Sequence, residues 1–128
     1  MATITIYLKY TSALEYALEE SGPYSPMGEE TITGAKAGDT IVWTCADDSI
    51  SKINNITVNR QKPVAWNWKD IWAEKPKATD NTKKTFSGVI VDTEEPADNP
   101  AYNAYDINIQ TKSDGDKDID PLIKYPAD

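Results

Sequence analysis

Apolar and polar residues alternate with a period of two along much of this chain. The alternation is clearest at residues 3–10, 40–45 and 102–111, where isoleucines and aromatic residues alternate with polar ones. Successive side chains of a strand point to opposite faces, so each stretch predicts a β-strand with one buried face. Weaker forms of the pattern predict further strands at residues 30–36, 50–59, 86–91 and 119–125.

Turn residues separate these stretches. Ala37-Gly38-Asp39 precedes the second clear strand, and Asp114-Gly115 is the dipeptide typical of a β-hairpin. About six to eight short strands separated by turns predict an all-β, Greek-key β-sandwich, with residues 1–128 as a single domain.

The segment at residues 12–20 departs from this pattern. Ser12 is a good N-cap residue, and Glu15 stands three positions later, where it can return the capping hydrogen bond. Leu14 and Leu18 would stack at i and i+4 of a helix. The sequence therefore predicts a short helix near residues 12–20.

The alternation also fails between residues 60 and 85. This segment, which we call the basic crossing, runs from Arg60 to Lys84 and contains seven of the 13 basic residues and only three acidic ones. It has a net charge of +4, whereas the rest of the chain has −12. Connections of this length in compact domains usually form local structure or carry function, although a solvated loop balancing an acidic body would look the same.

Three of the four tryptophans lie in the basic crossing. Indole rings with polar neighbours suit a protein interface or stacking on sugar rings, and the same rings could instead seal the end of the sandwich. The candidate binding residues are Trp66, Trp68, Trp72, Arg60, Lys62 and Lys69. Trp43 follows the alternation of its strand and is predicted to be in the core.

Aspartates alternate in the last predicted hairpin. Asp114, Asp116 and Asp118, followed by Asp120, could supply oxygen ligands to calcium. Gly115 and the lack of a closing glutamate differ from the spacing of an EF-hand loop. A solvated turn and a weak calcium site both remain open at this point.

Composition excludes several kinds of chemistry. The chain has no histidine and one cysteine, Cys45, so it forms neither an intramolecular disulfide nor a zinc site built from cysteines. Cys45 shares the predicted buried face of Trp43 and is interpreted as a core residue. The chain carries no sequence motif of a catalytic or phosphate-binding site, which leaves a carboxylate pair as the remaining catalytic hypothesis. We expect no enzyme activity and no cofactor.

The net charge of −8 opposes binding to nucleic acid, and no apolar run is long enough to suggest a membrane span. The strand pattern begins at Thr3, with no signal-peptide pattern before it. A cytoplasmic protein and an exported protein whose signal has been removed are both compatible with this start.

Two stretches together resemble cupredoxins. Residues 35–44, Ala-Lys-Ala-Gly-Asp-Thr-Ile-Val-Trp-Thr, with Asp47-Asp48-Ser49 after them, are similar to the turn and strand that lead to the first copper-ligand histidine. Phe86 and residues 104–109 are similar to the last strands of that family. The resemblance implies a cupredoxin-like or immunoglobulin-like sandwich.

The copper ligands of that family are missing here. There is no histidine near Ile53, and residues 110–119 contain no cysteine, histidine or methionine. A blue-copper site needs two imidazoles and a thiolate. The resemblance therefore implies a cupredoxin-like fold without copper and without electron transfer.

These observations favour a non-catalytic β-sandwich module that binds or scaffolds another macromolecule through the basic crossing. The alternative is a carbohydrate-binding domain, with calcium assisting at the Asp114–Asp120 turn. A protein and a glycan are thus the two kinds of partner considered, and the sequence does not set the oligomeric state.

Overall fold

The computed structural model describes residues 2–28, 31–60, 70–92 and 101–125, except for the side chains at positions 32, 59, 60 and 101. These ranges contain eleven strands and no helix. The strands are β1 (Thr3–Tyr10), β2 (Leu14–Ala17), β3 (Ser25–Pro26), β4 (Ile32–Gly34), β5 (Thr40–Cys45), β6 (Ile50–Arg60), β7 (Trp72–Ala78), β8 (Thr85–Ile90), β9 (Ala101–Thr111), β10 (Gly115–Ile119) and β11 (Leu122–Tyr125).

The strands form two sheets. Sheet A has the order β3-β2-β1-β5-β8-β7, and sheet B has the order β10-β9-β11-β4, with β6 paired to the other side of β9. This arrangement confirms the predicted all-β sandwich. Eleven strands replace the six to eight expected, because several are too short or too polar to show a pattern. The single-domain organisation stays a prediction.

Two strands organise the sheets. In sheet A, β5 pairs parallel with β1 and antiparallel with β8, so residues distant in sequence form one continuous surface. In sheet B, the long β9 pairs with β6 along one side, and with β10 and β11 in succession along the other. The chain passes repeatedly from one sheet to the other, which ties the two layers together.

The core lies between the sheets and is formed by the inward side chains of both. The alternation in β1, β5 and β9 places these residues on the inner faces, as the sequence predicted. Removing this apolar surface from water is the main favourable term in folding. The fully buried large side chains are Ile6, Leu8, Ile41, Trp43, Ile50, Ile53, Ile71, Ile90, Tyr105, Ile107, Ile109 and Tyr125.

The Gly-Asp turn before β5 is hydrogen-bonded to Ala2, the residue that precedes β1. Gly38 adopts a φ of 76°, a conformation that favours glycine. The buried Asp39 carboxylate accepts hydrogen bonds from the backbone N–H groups of Ala2 and Lys36, both at 2.9 Å. The Asp39 carboxylate therefore closes the turn and also fixes the position of the residue before β1.

The β9–β10 hairpin is confirmed at the predicted Asp114-Gly115 turn. Gly115 has a φ of 73°, and the buried Thr111 hydroxyl accepts from the Asp114 N–H at 2.9 Å and donates to the Gly115 carbonyl at 2.7 Å. These bonds fix the register between Gly115 and Thr111.

The short helix predicted near residues 12–20 is wrong. Residues 14–17 form β2, which pairs antiparallel with β1 from Tyr7↔Ala17 to Tyr10↔Leu14. A helix this short is unstable by itself, whereas pairing with β1 satisfies the backbone groups of both strands. Leu14 is buried but Leu18 is exposed, so the two leucines do not stack on one helical face.

The basic crossing is not irregular throughout. Its last part forms β7 and the turn that joins β7 to β8 in an antiparallel hairpin. The alternation is missing because β7 is an outer strand with mostly exposed side chains, and because the pairing shifts register twice, between Trp72 and Glu74 and between Glu74 and Lys77. Residues 61–69 lie outside the described ranges.

Candidate functional site

Most of the binding residues predicted in the basic crossing cannot be placed. Lys62, Trp66, Trp68 and Lys69 lie outside the described residues, and only the backbone of Arg60 is described, at the end of β6. Their role stays a prediction. The crossing's described lysines are exposed on β7 and in the turn after it, namely Lys75, Lys77, Lys83 and Lys84.

Trp72 belongs to the core and not to an exposed platform. Its side chain is only 7% exposed, and its indole N–H donates to the Asn103 side-chain oxygen at 3.3 Å. Its ring centroid lies 6.1 Å from that of Trp43. The alternative in which a crossing tryptophan folds back onto the sandwich therefore applies to Trp72.

The three candidate calcium ligands accept hydrogen bonds from three different residues. Asp114 accepts a hydrogen bond from the Tyr10 hydroxyl at 2.9 Å, Asp116 from Asn54 at 3.2 Å and Asp118 from Asn108 at 2.6 Å. In the part of the chain that the structure describes, no group of three or more acidic or cysteine side chains is placed to hold a metal ion.

The outer side of sheet A carries a surface that the sequence analysis missed. Alternate residues of β1, β5 and β8 lie side by side there in a lattice of three by three positions. We call this surface the neutral face. Its rows are Thr3, Thr40 and Val89; Thr5, Val42 and Ser87; and Tyr7, Thr44 and Thr85.

None of the nine side chains of the neutral face is charged; seven carry a hydroxyl group and two are valines. In the third row the hydroxyl oxygens of Thr44 and Thr85 are 2.8 Å apart. Eight of the nine side chains are half-buried, and Thr3 is exposed. A surface depleted of charge is a mark of interface centres.

Charged residues reappear at the borders of the neutral face. On one side, Lys9 of β1 is paired with Glu15 of β2. On the other, Glu74 and Lys77 of β7 are paired with Val89 and Ser87. These four charges cancel, and Glu20 and Asp47 add negative charge near Tyr24 on the β2 side.

A groove adjoins the neutral face at the β7–β8 edge. It has a volume of about 330 Å³ and is lined by Glu74, Lys77, Ala78, Thr79, Ser87 and Val89. The two register shifts in β7 lie beside this groove. Only one carboxylate is among these lining residues, so the groove does not present the carboxylate pair that glycoside hydrolysis needs.

A well-fixed loop borders the opposite edge. Gly22 donates to the Glu19 carbonyl at 2.9 Å, the Tyr24 hydroxyl donates to the Glu20 carbonyl at 2.8 Å, and the Lys9 ammonium lies 4.3 Å from the centroid of the Tyr24 ring. Leu18 begins this loop and is 57% exposed. It directly follows Ala17, the residue paired with Tyr7 of the neutral face.

The outer strands of both sheets are poorly suited to adding another strand. In sheet A, β3 has two residues and β7 contains Pro76, which lacks a backbone donor. In sheet B, β4 has three residues and β10 carries the exposed charges of Asp116 and Asp118. The β6 N–H of Ile53 is bonded to the Lys83 carbonyl at 2.8 Å. Among the described strands, a sheet face is therefore better suited to binding than a sheet edge.

Two carboxylates are held in their ionised form by local turns. The Ser49 hydroxyl lowers the pKa of Asp47 by hydrogen bonding, and the Thr82 hydroxyl does the same for Asp80. Both are exposed turn residues, so these bonds shape loops and give neither carboxyl the raised pKa of a general acid.

The thiol and several phenols are held in their protonated form. Burial raises the pKa of Tyr105 and raises that of Cys45 from 9.0 to about 11. The hydrogen bond to Asp114 raises the pKa of Tyr10. Where a shift is resolved among the described groups, it moves the pKa away from neutrality.

Cys45 should accordingly react slowly in the folded protein. At pH 8 we expect iodoacetamide to alkylate native Cys45 about 100-fold more slowly than the same thiol in urea, because a pKa near 11 lowers the thiolate fraction by that factor. Equal alkylation rates for the native and unfolded chains at pH 8 would contradict the raised pKa of Cys45.

The raised pKa of Cys45 also contributes to the stability of the fold below about pH 9, and this contribution is lost as the pH rises through about 11.

Comparison with protein-family models finds no match, and the search of curated proteins finds no similar sequence. The described residues include no helix long and apolar enough to cross a membrane.

Proposed function

We propose that the protein is a non-catalytic β-sandwich module that binds another macromolecule through the neutral face. The observation that carries the proposal is the three-by-three lattice of uncharged side chains on sheet A. Eight of the nine side chains are Thr, Ser or Val, and none carries a charge that a partner would have to desolvate.

Two further observations support this choice of surface. Leu18 is the only large apolar residue that is exposed in the described part of the chain, and it directly follows Ala17, which is paired with Tyr7 of the neutral face. The groove at the opposite border offers a recess for a partner's side chain.

The ionisable groups support a role without catalysis. General acids and bases work best with a pKa near the operating pH, and environments at active sites shift pKa values in that direction. Here the resolved shifts protonate Cys45 and Tyr105 more firmly and ionise Asp47 and Asp80 more firmly. The sequence also lacks histidine.

A protein partner suits the neutral face better than the other classes considered. Nucleic acid requires positive charge, and none of the nine side chains of the neutral face is charged. Sugar binding usually employs an exposed aromatic platform, and the described tryptophans, Trp43 and Trp72, are buried. The carbohydrate alternative rests on Trp66 and Trp68 and stays a prediction.

The resemblance to cupredoxins is part of the proposal. The turn at Gly38-Asp39 and the strand after it carry that resemblance, and the chain has neither of the two imidazoles that a blue-copper site needs. We infer a sandwich of that kind that serves binding and not electron transfer.

Photo-crosslinking from single positions tests the proposed surface. The photoreactive amino acid p-benzoylphenylalanine is placed at position 44 in the neutral face or at position 57, where Thr57 is exposed on the outer side of sheet B. After irradiation in the cells that produce the protein, we expect a discrete adduct from position 44 and none from position 57.

A second substitution makes the result specific. Adding Ser87→Lys puts a charge in the middle row of the neutral face and should remove the adduct, whereas adding Gln110→Lys on the outer side of sheet B should leave it. Absence of an adduct from position 44, or the same adduct from position 57, would overturn the proposed function.

A further inference from the structure

We propose that the partner of the neutral face is a second copy of this chain, packed face to face in an isologous dimer. The inference rests on the proposed function and names the occupant of the same surface. In such a dimer, sheet A of one copy lies against sheet A of the other, and each copy contributes the same residues.

The charge distribution favours this pairing. Two chains of −8 repel each other, and the neutral face is a surface on which contact brings no like charges together. Packed sheets are about 10 Å apart, so this arrangement leaves the two outer B sheets about 30 Å apart. The Debye length is about 8 Å at physiological ionic strength. Charges on the outer faces of sheet B, which carry Asp106, Asp116, Asp118, Lys52 and Lys124, are therefore largely screened from those of the other copy.

The chemistry of the neutral face is complementary to itself. A hydroxyl group both donates and accepts hydrogen bonds, so Thr and Ser side chains can pair with identical residues across a two-fold axis. A strongly charged partner would find no counter-charge in the centre of the lattice. A second copy needs no counter-charge there, because it presents the same neutral hydroxyl and methyl groups.

The size of the surface indicates how tight the dimer is. The three strands of the neutral face span about 14 Å, and five residues of strand extend about 17 Å, which gives a plane of about 240 Å². Stable interfaces bury about 800 Å² on each partner. We therefore expect weak, reversible association with a dissociation constant on the order of 1 mM, and not an obligate dimer.

Analytical ultracentrifugation of the whole chain from about 10 µM to about 1 mM tests the proposal. Val42 lies at the centre of the lattice, so both Val42→Glu and Val42→Lys should weaken association at least tenfold. The effect should be independent of the sign of the new charge, because each is buried without a partner in a neutral interface. Raising the salt concentration should leave association of the unmodified chain unchanged or make it stronger.

Matched variants at an exposed position of sheet B serve as controls. Thr57→Glu and Thr57→Lys introduce the same charges on the outer side of β6 and should associate like the unmodified protein. Far-ultraviolet circular dichroism with thermal melting shows whether each variant is folded. Association that survives both Val42 changes in folded protein, or that is lost equally in the Thr57 variants, would overturn the proposal.

The proposal and the function on which it rests can fail separately. A chain that is monomeric up to about 1 mM overturns the second-copy inference. If position 44 then still crosslinks to a protein other than the 14.2-kDa chain itself, the proposed function stands with a different partner. An adduct of twice the chain mass supports both.

Discussion

Replacing Trp43 with alanine should destabilise the protein by about 3–5 kcal/mol, the cost of removing a large aromatic side chain from a closely packed core. Trp43 is fully buried between the sheets, with its ring centroid 5.3 Å from that of Tyr105 in an edge-on arrangement. Its indole N–H also donates to the Tyr105 hydroxyl at 3.3 Å. The variant loses apolar burial, an aromatic contact and a buried hydrogen bond together.

The change would remove a large part of the stability of a domain whose total is about 5–15 kcal/mol. Urea unfolding, followed by circular dichroism, measures it as a shift of the midpoint at constant slope. Leu18→Ala is the matched control, because Leu18 is large and apolar but 57% exposed, and it should change stability by about 0.5 kcal/mol or less. A Trp43→Ala variant as stable as Leu18→Ala would contradict the described core.

Replacing Gly88 with alanine should also destabilise the fold, by about 1–3 kcal/mol. A Cβ at this position would lie 2.8 Å from the Trp72 ring and 3.1 Å from the backbone nitrogen of Pro76. The ring is buried and bonded to Asn103, and the proline nitrogen belongs to the paired strand, so neither can move away freely. Alanine would normally stabilise a strand relative to glycine, which makes a loss of stability diagnostic of the contact.

Gly28→Ala provides the control for the change at Gly88. No atom lies within 4 Å of a Cβ built at Gly28, so the extra methyl group should change the free energy of unfolding by about 0.5 kcal/mol or less. Gly88→Ala as stable as the unmodified protein would mean that Trp72 does not pack over β8.

The fold class could be predicted because the inward residues of the central strands alternate strictly. Ile6, Trp43 and Ile107 each follow a period of two, and all are fully buried between the sheets. The turns at Gly38 and Gly115 could also be predicted, because both residues adopt a positive φ, which glycine favours. In these elements, the local pattern and the tertiary environment favour the same structure.

The outer strands could not be predicted for a physical reason. Strand β2 has leucine spacing that also fits a helix, and only pairing with β1 decides between the two structures. Strand β7 has exposed side chains along most of its length, so burial imposes no alternation on it. Strands at the borders of a sheet take their structure from a neighbour that local sequence does not reveal.

The candidate site was missed because its residues are distant in sequence. Thr5, Val42 and Ser87 are adjacent only through the β1–β5 and β5–β8 pairings, and each by itself is an ordinary outward residue of a strand. The uncharged outward positions of the three strands were a signal in the sequence, and they acquire meaning only once the strand order is known. Trp72, in contrast, was predicted as a binding residue because it is a tryptophan, but its side chain is buried in the core.

The central claim is that the neutral face is covered by a partner, and hydroxyl-radical footprinting tests it most directly. Side-chain oxidation is compared between dilute purified protein and protein in the cells that produce it. We expect Tyr7 and Val42 to become protected in cells, while Tyr102 on the outer side of sheet B is oxidised equally in both. Unchanged oxidation at Tyr7 and Val42, or protection confined to Tyr102, would contradict it.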